Sequence, residues 1–135
     1  MVPMYAPCTV EAPPAIIAAA TVAGVIANVE CDYLVAAMFA ESSWRPTVTG
    51  DNGRAYGLFQ LHTKFVRAVW SLPKRGGPLA QAVYAGLHWR RLIGKFGRWR
   101  AAVVYACGYR CPNARWSTPA RWAAVLRRLK RGDVL

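Results

Sequence analysis

Three observations predict a mainly α, single-domain fold. The chain has 135 residues, of which 55% are hydrophobic. It is long enough for one real core and too apolar to be disordered. Apolar residues recur at helical spacing through most of its length, punctuated by Pro and Gly. Strand-forming signals are brief: Thr47-Val48-Thr49 and Tyr56 lie in a Gly-containing stretch too short for a large sheet. No internal repeat or linker divides the sequence.

The elements follow in order. Residues 1–13 form a Pro-rich arm, and residues 14–135 form the domain. A first helix over about 14–28 is Ala-rich and nearly uncharged. It lacks a basic leader, follows Glu11 and falls short of the roughly 20 residues a membrane span needs, so it reads as a core helix rather than a signal peptide or a span. Asn28 to Asp32 is a turn, with Asp32 as N-cap. A second helix runs over about 33–43. It stops there because Pro46 disfavours helix at the residue before it. Residues 44–56 are a loop with Pro46, Gly50 and Gly53, followed by Gly57. A helix is expected near 62–70, then a turn over 73–78. The next helix covers about 79–94, with Leu79, Val83, Leu87 and Arg90 on one face, and Gly94 and Gly97 break it. A helix over about 98–107 carries Tyr105 into the core. The last helix covers about 119–131: Thr118 caps it, Pro119 sits in its first turn and Gly132 ends it. Trp122, Val125, Leu126 and Leu129 face inward, while Arg121, Arg127, Arg128, Lys130 and Arg131 surround them.

Eighteen basic residues against six acidic ones give a net charge of +12. Such charge suits an anionic polymer: peptidoglycan, lipopolysaccharide or nucleic acid. No nucleic-acid-binding motif accompanies it, so specific nucleic-acid recognition is not expected. The four cysteines are Cys8, Cys31, Cys107 and Cys111. Cys107 and Cys111 are close enough for a local bridge, and a Cys8–Cys31 bridge would then staple the N-terminal arm. Free thiols are the alternative. Bridges would imply work outside a reducing cytoplasm. Zinc is disfavoured, since there is no Cys-x-x-Cys and His62 and His88 lie far apart. No metal or cofactor is expected.

Glu41 stands out among the acids. Glu11, Glu30, Asp32 and Asp133 lie in terminal stretches or beside a turn. Glu41 instead closes an otherwise uncharged run, Tyr33-Leu34-Val35-Ala36-Ala37-Met38-Phe39-Ala40, and shares a helix face with Leu34, Ala37 and Met38. A helix apolar all round is buried. Desolvation and the negative end of the helix dipole would both raise the pKa of this carboxyl, which a general acid near neutral pH requires. The plainer alternative is a structural Glu bonded to an amide or paired with an Arg.

Residues 41–61 read Glu-Ser-Ser-Trp-Arg-Pro-Thr-Val-Thr-Gly-Asp-Asn-Gly-Arg-Ala-Tyr-Gly-Leu-Phe-Gln-Leu. This resembles the signature of the lytic transglycosylase and goose-type lysozyme superfamily: Glu-Ser at a helix end, a Pro soon after, a Gly-rich turn, then Gly-Leu-(Met/Phe)-Gln. Val104-Tyr105-Ala106-Cys107-Gly108 is similar to a second family element, with Ala106 where the family carries Asn. The resemblance spans roughly residues 15–130.

The resemblance implies a lysozyme-like (α+β) fold with a helical core and at most a short β-hairpin in the 44–56 loop. It implies cleavage of the β-1,4 bond between N-acetylmuramic acid and N-acetylglucosamine, with Glu41 as general acid and base and a 1,6-anhydro product. Ser42, Gln60 and Tyr105 match family residues at the substrate or beside the acid; Tyr56, Phe59 and Tyr109 are candidate stacking surfaces for sugar rings. Asp51 is the candidate second carboxylate if the enzyme is instead an inverting hydrolase that activates water. The partners implied are peptidoglycan glycan strands and the anionic cell envelope, engaged by a monomer that does not span the membrane. The expected setting is the bacterial wall outside the cytoplasm, reached by a phage-like protein released at lysis or carried in a virion. Non-catalytic wall binding and nucleic-acid binding are the alternatives of another class; intact Glu41, Ser42 and Gln60 argue against the first.

Overall fold

The computed structural model describes residues 6–50, 52–62, 73–107 and 117–135, with the backbone alone at 73–76, 99, 106, 107 and 117–119. The expected 62–70 helix therefore lies outside the described residues, apart from His62. So do Asp51, Tyr109, Cys111 and the Cys107 side chain.

The chain is mainly helical, with one small antiparallel sheet. Its elements are α1 (Pro14–Ala27), α2 (Cys31–Ser42), β1 (Thr49–Gly50), β2 (Ala55–Tyr56), β3 (Leu61–His62), α3 (Pro73–Cys107) and α4 (Ser117–Lys130). This is compatible with a mainly α, lysozyme-like fold.

Pro14 starts α1 where its missing N–H costs nothing. Asn28 ends the helix in the left-handed conformation, its N–H returning to the Gly24 carbonyl. Asn reaches that region at less cost than most residues. Ile16, Ala19, Ala20, Ala23, Gly24 and Ala27 form the buried stripe. Their small size lets α1 lie tightly along α3: a Cβ added at Gly86 would come within 2.8 Å of the Ile26 Cβ. Among the described residues, no single helix is long and apolar enough to cross a membrane.

Helix α2 begins two residues earlier than expected, and Asp32 is not its cap. Glu30 occupies that position. Asp32 turns its carboxylate to the arm instead, accepting from Thr9 N at 2.7 Å, from Val10 N at 3.1 Å and from the Thr9 hydroxyl. A disulfide joins Cys8 to Cys31 with their Cα atoms 4.8 Å apart, and the Cys31 amide donates to Ala6 O. Residues 6–10 of the arm thus lie against the start of α2.

The expected hairpin is a three-stranded sheet, β1-β2-β3, with Thr49 opposite Tyr56 and Ala55 opposite His62. The third strand follows from Gly57–Gln60, a tight turn in which Gly57 and Gln60 both have positive φ.

In α3 the backbone leaves helical geometry at Gly77 and Gly97, while Gly94 continues the helix. The face defined by Leu79, Val83, Leu87 and Arg90 is the solvent face. Gln81, Ala82, Ala85, His88, Trp89 and Leu92 point inward. Helix α4 starts at Ser117, so Thr118 lies inside its first turn rather than capping it. Gly132 ends it in a Schellman motif, with Gly132 N donating to Leu129 O and Asp133 N to Arg128 O. Trp122 and Leu129 are buried, and Val125 and Leu126 pack against the core.

Candidate active site

Glu41 sits in the last turn of α2, one residue before its end. Ser43 and Trp44 then both adopt left-handed backbone conformations. Two successive non-glycine residues in that region cost roughly 1–2 kcal/mol each. Local bonds offset the strain. Trp44 donates its indole N–H to Val35 O at 3.0 Å and meets Phe39 edge to face at 5.0 Å. Arg45 donates both its amide and its Nε to Ser42 O. Strain of this kind clusters at functional sites.

Aromatic rings from three helices gather behind Glu41. Tyr33 of α2 lies edge to face with Trp89 of α3 and Trp122 of α4, at 6.3 and 5.8 Å. Tyr105 stacks on Trp89 at 4.8 Å and meets Trp122 at 6.0 Å. The Glu41 side chain is only 15% exposed. Burial pushes its pKa above the usual carboxylate value; Arg121 and the Trp122 indole N–H pull against this without cancelling it. Arg121 Nη2 stands 3.6 Å from Oε1, and among the described residues Oε1 has no hydrogen-bond partner. This carboxyl can hold a proton at a pH where a solvated Glu would not, which is what a general acid requires.

Burial raises the Tyr105 hydroxyl pKa well above its normal value, and the Glu41 charge raises it further. It therefore stays protonated and feels Glu41, but it donates to Phe59 O. That bond fixes the end of the β2–β3 turn beside the aromatic group.

The other expected site residues have structural employment. Ser42 is buried and donates its hydroxyl back to Met38 O at 2.8 Å, so it does not face a ligand. Gln60 donates its amide to Gly57 O at 2.9 Å and Val48 O at 3.2 Å, bracing the sheet. Gly50 makes room for it: a Cβ there would fall 2.3 Å from Gln60 Oε1. Tyr56 and Phe59 are buried in the core rather than presented as sugar platforms. Asp51 and Tyr109 lie outside the described residues.

Sequence reasoning missed four participants. Arg121 appeared as one of several surface cations, although it alone among them meets Glu41. Trp89 was not singled out. Gln81, buried on α3, accepts from Leu58 N and donates to Pro46 O, both at 2.8 Å, clamping the loop that leaves α2. His88 is buried beside Tyr105, its ring 5.5 Å away, and burial together with Arg91 lowers its pKa to about 4, so it is neutral near pH 7. The signal available for Gln81 and His88 was their spacing with Ala85 and Leu92 on one helical face.

Of the other described acids, Glu30 pairs with Arg98, Asp32 holds the arm and meets Lys130 at 3.4 Å, and Asp133 pairs with Arg131. No protein-family model matches this chain, and neither a curated protein nor a solved structure matches it.

Proposed function

We propose that this protein cleaves the β-1,4 bond between N-acetylmuramic acid and N-acetylglucosamine in peptidoglycan, as a lytic transglycosylase. The observation that carries this reading is Glu41: a carboxyl at a helix end, 15% exposed, backed by aromatic rings, with its pKa raised by burial. The order of residues from Glu41 to Leu61, and its resemblance to the superfamily signature, supplies the substrate class.

Protonated Glu41 gives its proton to the glycosidic oxygen. The bond from the anomeric carbon then breaks, its electron pair leaving with N-acetylglucosamine. The acetamido oxygen of the muramyl sugar stabilises the positive charge. Glu41, now a carboxylate, takes the proton from the 6-hydroxyl as O6 bonds to the anomeric carbon. The 1,6-anhydro ring closes, no water is consumed, and Glu41 is again protonated. One carboxyl serves both steps, which suits a chain with six acids whose described members besides Glu41 include three engaged elsewhere. The net charge of +12 favours approach to an anionic wall.

Mass spectrometry of purified peptidoglycan digested by the protein tests the reading. Fragments ending in anhydro-muramic acid, one water lighter than reducing fragments, are expected. Reducing ends alone would assign hydrolysis, with Asp51 as the group to activate water. An undigested wall would leave a binding module.

A further inference from the structure

Arg121 and Glu41 form an unequal pair. The guanidinium is 56% exposed and the carboxylate 15%, so an arriving ligand meets the cation first. Their contact is 3.6 Å, longer than the 2.7–2.9 Å of a good charge-assisted hydrogen bond. Only Nη2 makes it, which leaves the planar fork of donors to match a second carboxylate bidentately. The pair also works against the proposed chemistry, because an adjacent cation favours the ionised form of an acid that must carry a proton. The site performs best if this cation leaves when substrate arrives.

We propose that Arg121 is a specificity-determining residue which, on substrate binding, moves from Glu41 to the lactyl carboxylate of an N-acetylmuramyl residue free of stem peptide, selecting anionic strands over neutral β-1,4 glycans. This rests on the peptidoglycan reading of the same site. The departing guanidinium leaves Glu41 in an aromatic, poorly solvated setting without its counter-ion, so the acid form is restored when an anionic strand is in place. A neutral glycan offers Arg121 no partner and leaves the pair closed.

Equilibrium binding tests this without requiring turnover. Calorimetric titrations would compare a lactyl-bearing tetrasaccharide of alternating N-acetylglucosamine and N-acetylmuramic acid with neutral chitotetraose, both linked through sulfur so that neither is cleaved, at fixed pH and salt. The wild type should prefer the anionic ligand about tenfold, the scale of one charge-assisted hydrogen bond at a half-open site. Arg121→Gln should reduce that preference below about twofold, and Arg121→Lys should retain part of it as a point charge. Arg127→Gln, an exposed substitution on the same helix, should leave it intact. Loss of preference in Arg127→Gln equal to that in Arg121→Gln would assign selectivity to overall charge and overturn the proposal. So would a wild type that does not discriminate, or that binds neither ligand. Arg121-dependent selectivity in a protein that leaves peptidoglycan intact would refute the cleavage reading alone.

Discussion

Glu41 is held where its neutral form fits better than its ionised form. Burial raises its folded-state pKa above that of the unfolded chain, so between those two values the folded protein binds more protons. The stability this group contributes is therefore fully present below the unfolded pKa, near 4.3, and lost as pH rises through the folded value. Glu41→Gln removes that dependence, since the amide never ionises. Two outcomes are expected. The proposed wall cleavage should fall by at least the roughly 10²–10⁴-fold that acid–base catalysis supplies. The melting temperature should rise relative to wild type near pH 8 and change little near pH 4. The Arg121 contact should offset little of this gain, because the guanidinium is mostly solvated. Calorimetry at the two pH values checks it; a variant less stable than wild type near pH 8 would show that the carboxylate is well satisfied and unsuited to hold a proton.

At the scale of elements, α3 shows what the sequence could and could not disclose. The bounds of α1, the end of α2, the turn at Pro46 and the Gly132 stop were legible because local chemistry sets them, whereas the start of α2 lies two residues before the expected one because Asp32 is engaged by the arm. The inward face of α3 was not. Over residues 79–87 the larger aliphatics, Leu79, Val83 and Leu87, face solvent. The inward side carries Ala82, Ala85 and Gly86 because α1 passes so close that little else fits. Side-chain size therefore pointed away from the core. The third strand was hidden for a related reason: strands of two residues have no pattern of their own. They are held by Gln60 and by Gln81, whose partners lie 23 and 35 residues away. Glu41 was legible as a lone acid on an apolar helix, whereas its pairing with Arg121 depends on a contact between helices distant in sequence. Gln81→Ala should orphan Leu58 N and Pro46 O at a cost of about 1–3 kcal/mol per buried group left unpaired. In native-state hydrogen exchange the Leu58 amide should lose protection more than amides of α1 do. Unchanged protection at Leu58 would mean that the 46–58 loop is held by other contacts.

Across the whole molecule, the cationic C-terminus and the N-terminal arm are parts of one arrangement. Lys130 reaches Asp32 at 3.4 Å, Arg131 pairs with Asp133, and Arg128 donates to Val134 O at 2.7 Å. Charges that in sequence look like a surface for anionic envelopes thus also close the helix end and approach the arm's anchor. The arm has two side-chain fasteners of different chemistry, the Cys8–Cys31 disulfide and the Asp32 carboxylate, beside the backbone bond from Cys31 N to Ala6 O. Burial acts to raise the Asp32 pKa, but bonds from Thr9 and Val10 and the nearby Lys130 outweigh it, and the net shift is downward. A depressed folded pKa contributes stability above the unfolded value, near 3.9, that is lost as pH falls through the folded one. Reduction at neutral pH should therefore lower stability by about 2–4 kcal/mol, as for a typical disulfide, while the Thr9 and Val10 bonds keep the arm in place. Reduction combined with acid should release it, because both fasteners are then gone. Amide exchange at Val10 distinguishes the cases: protection should survive reduction at pH 7 and survive acid with the disulfide intact, but fail under both together. Loss of Val10 protection on reduction alone at neutral pH would show that Asp32 does not hold the arm independently of the disulfide.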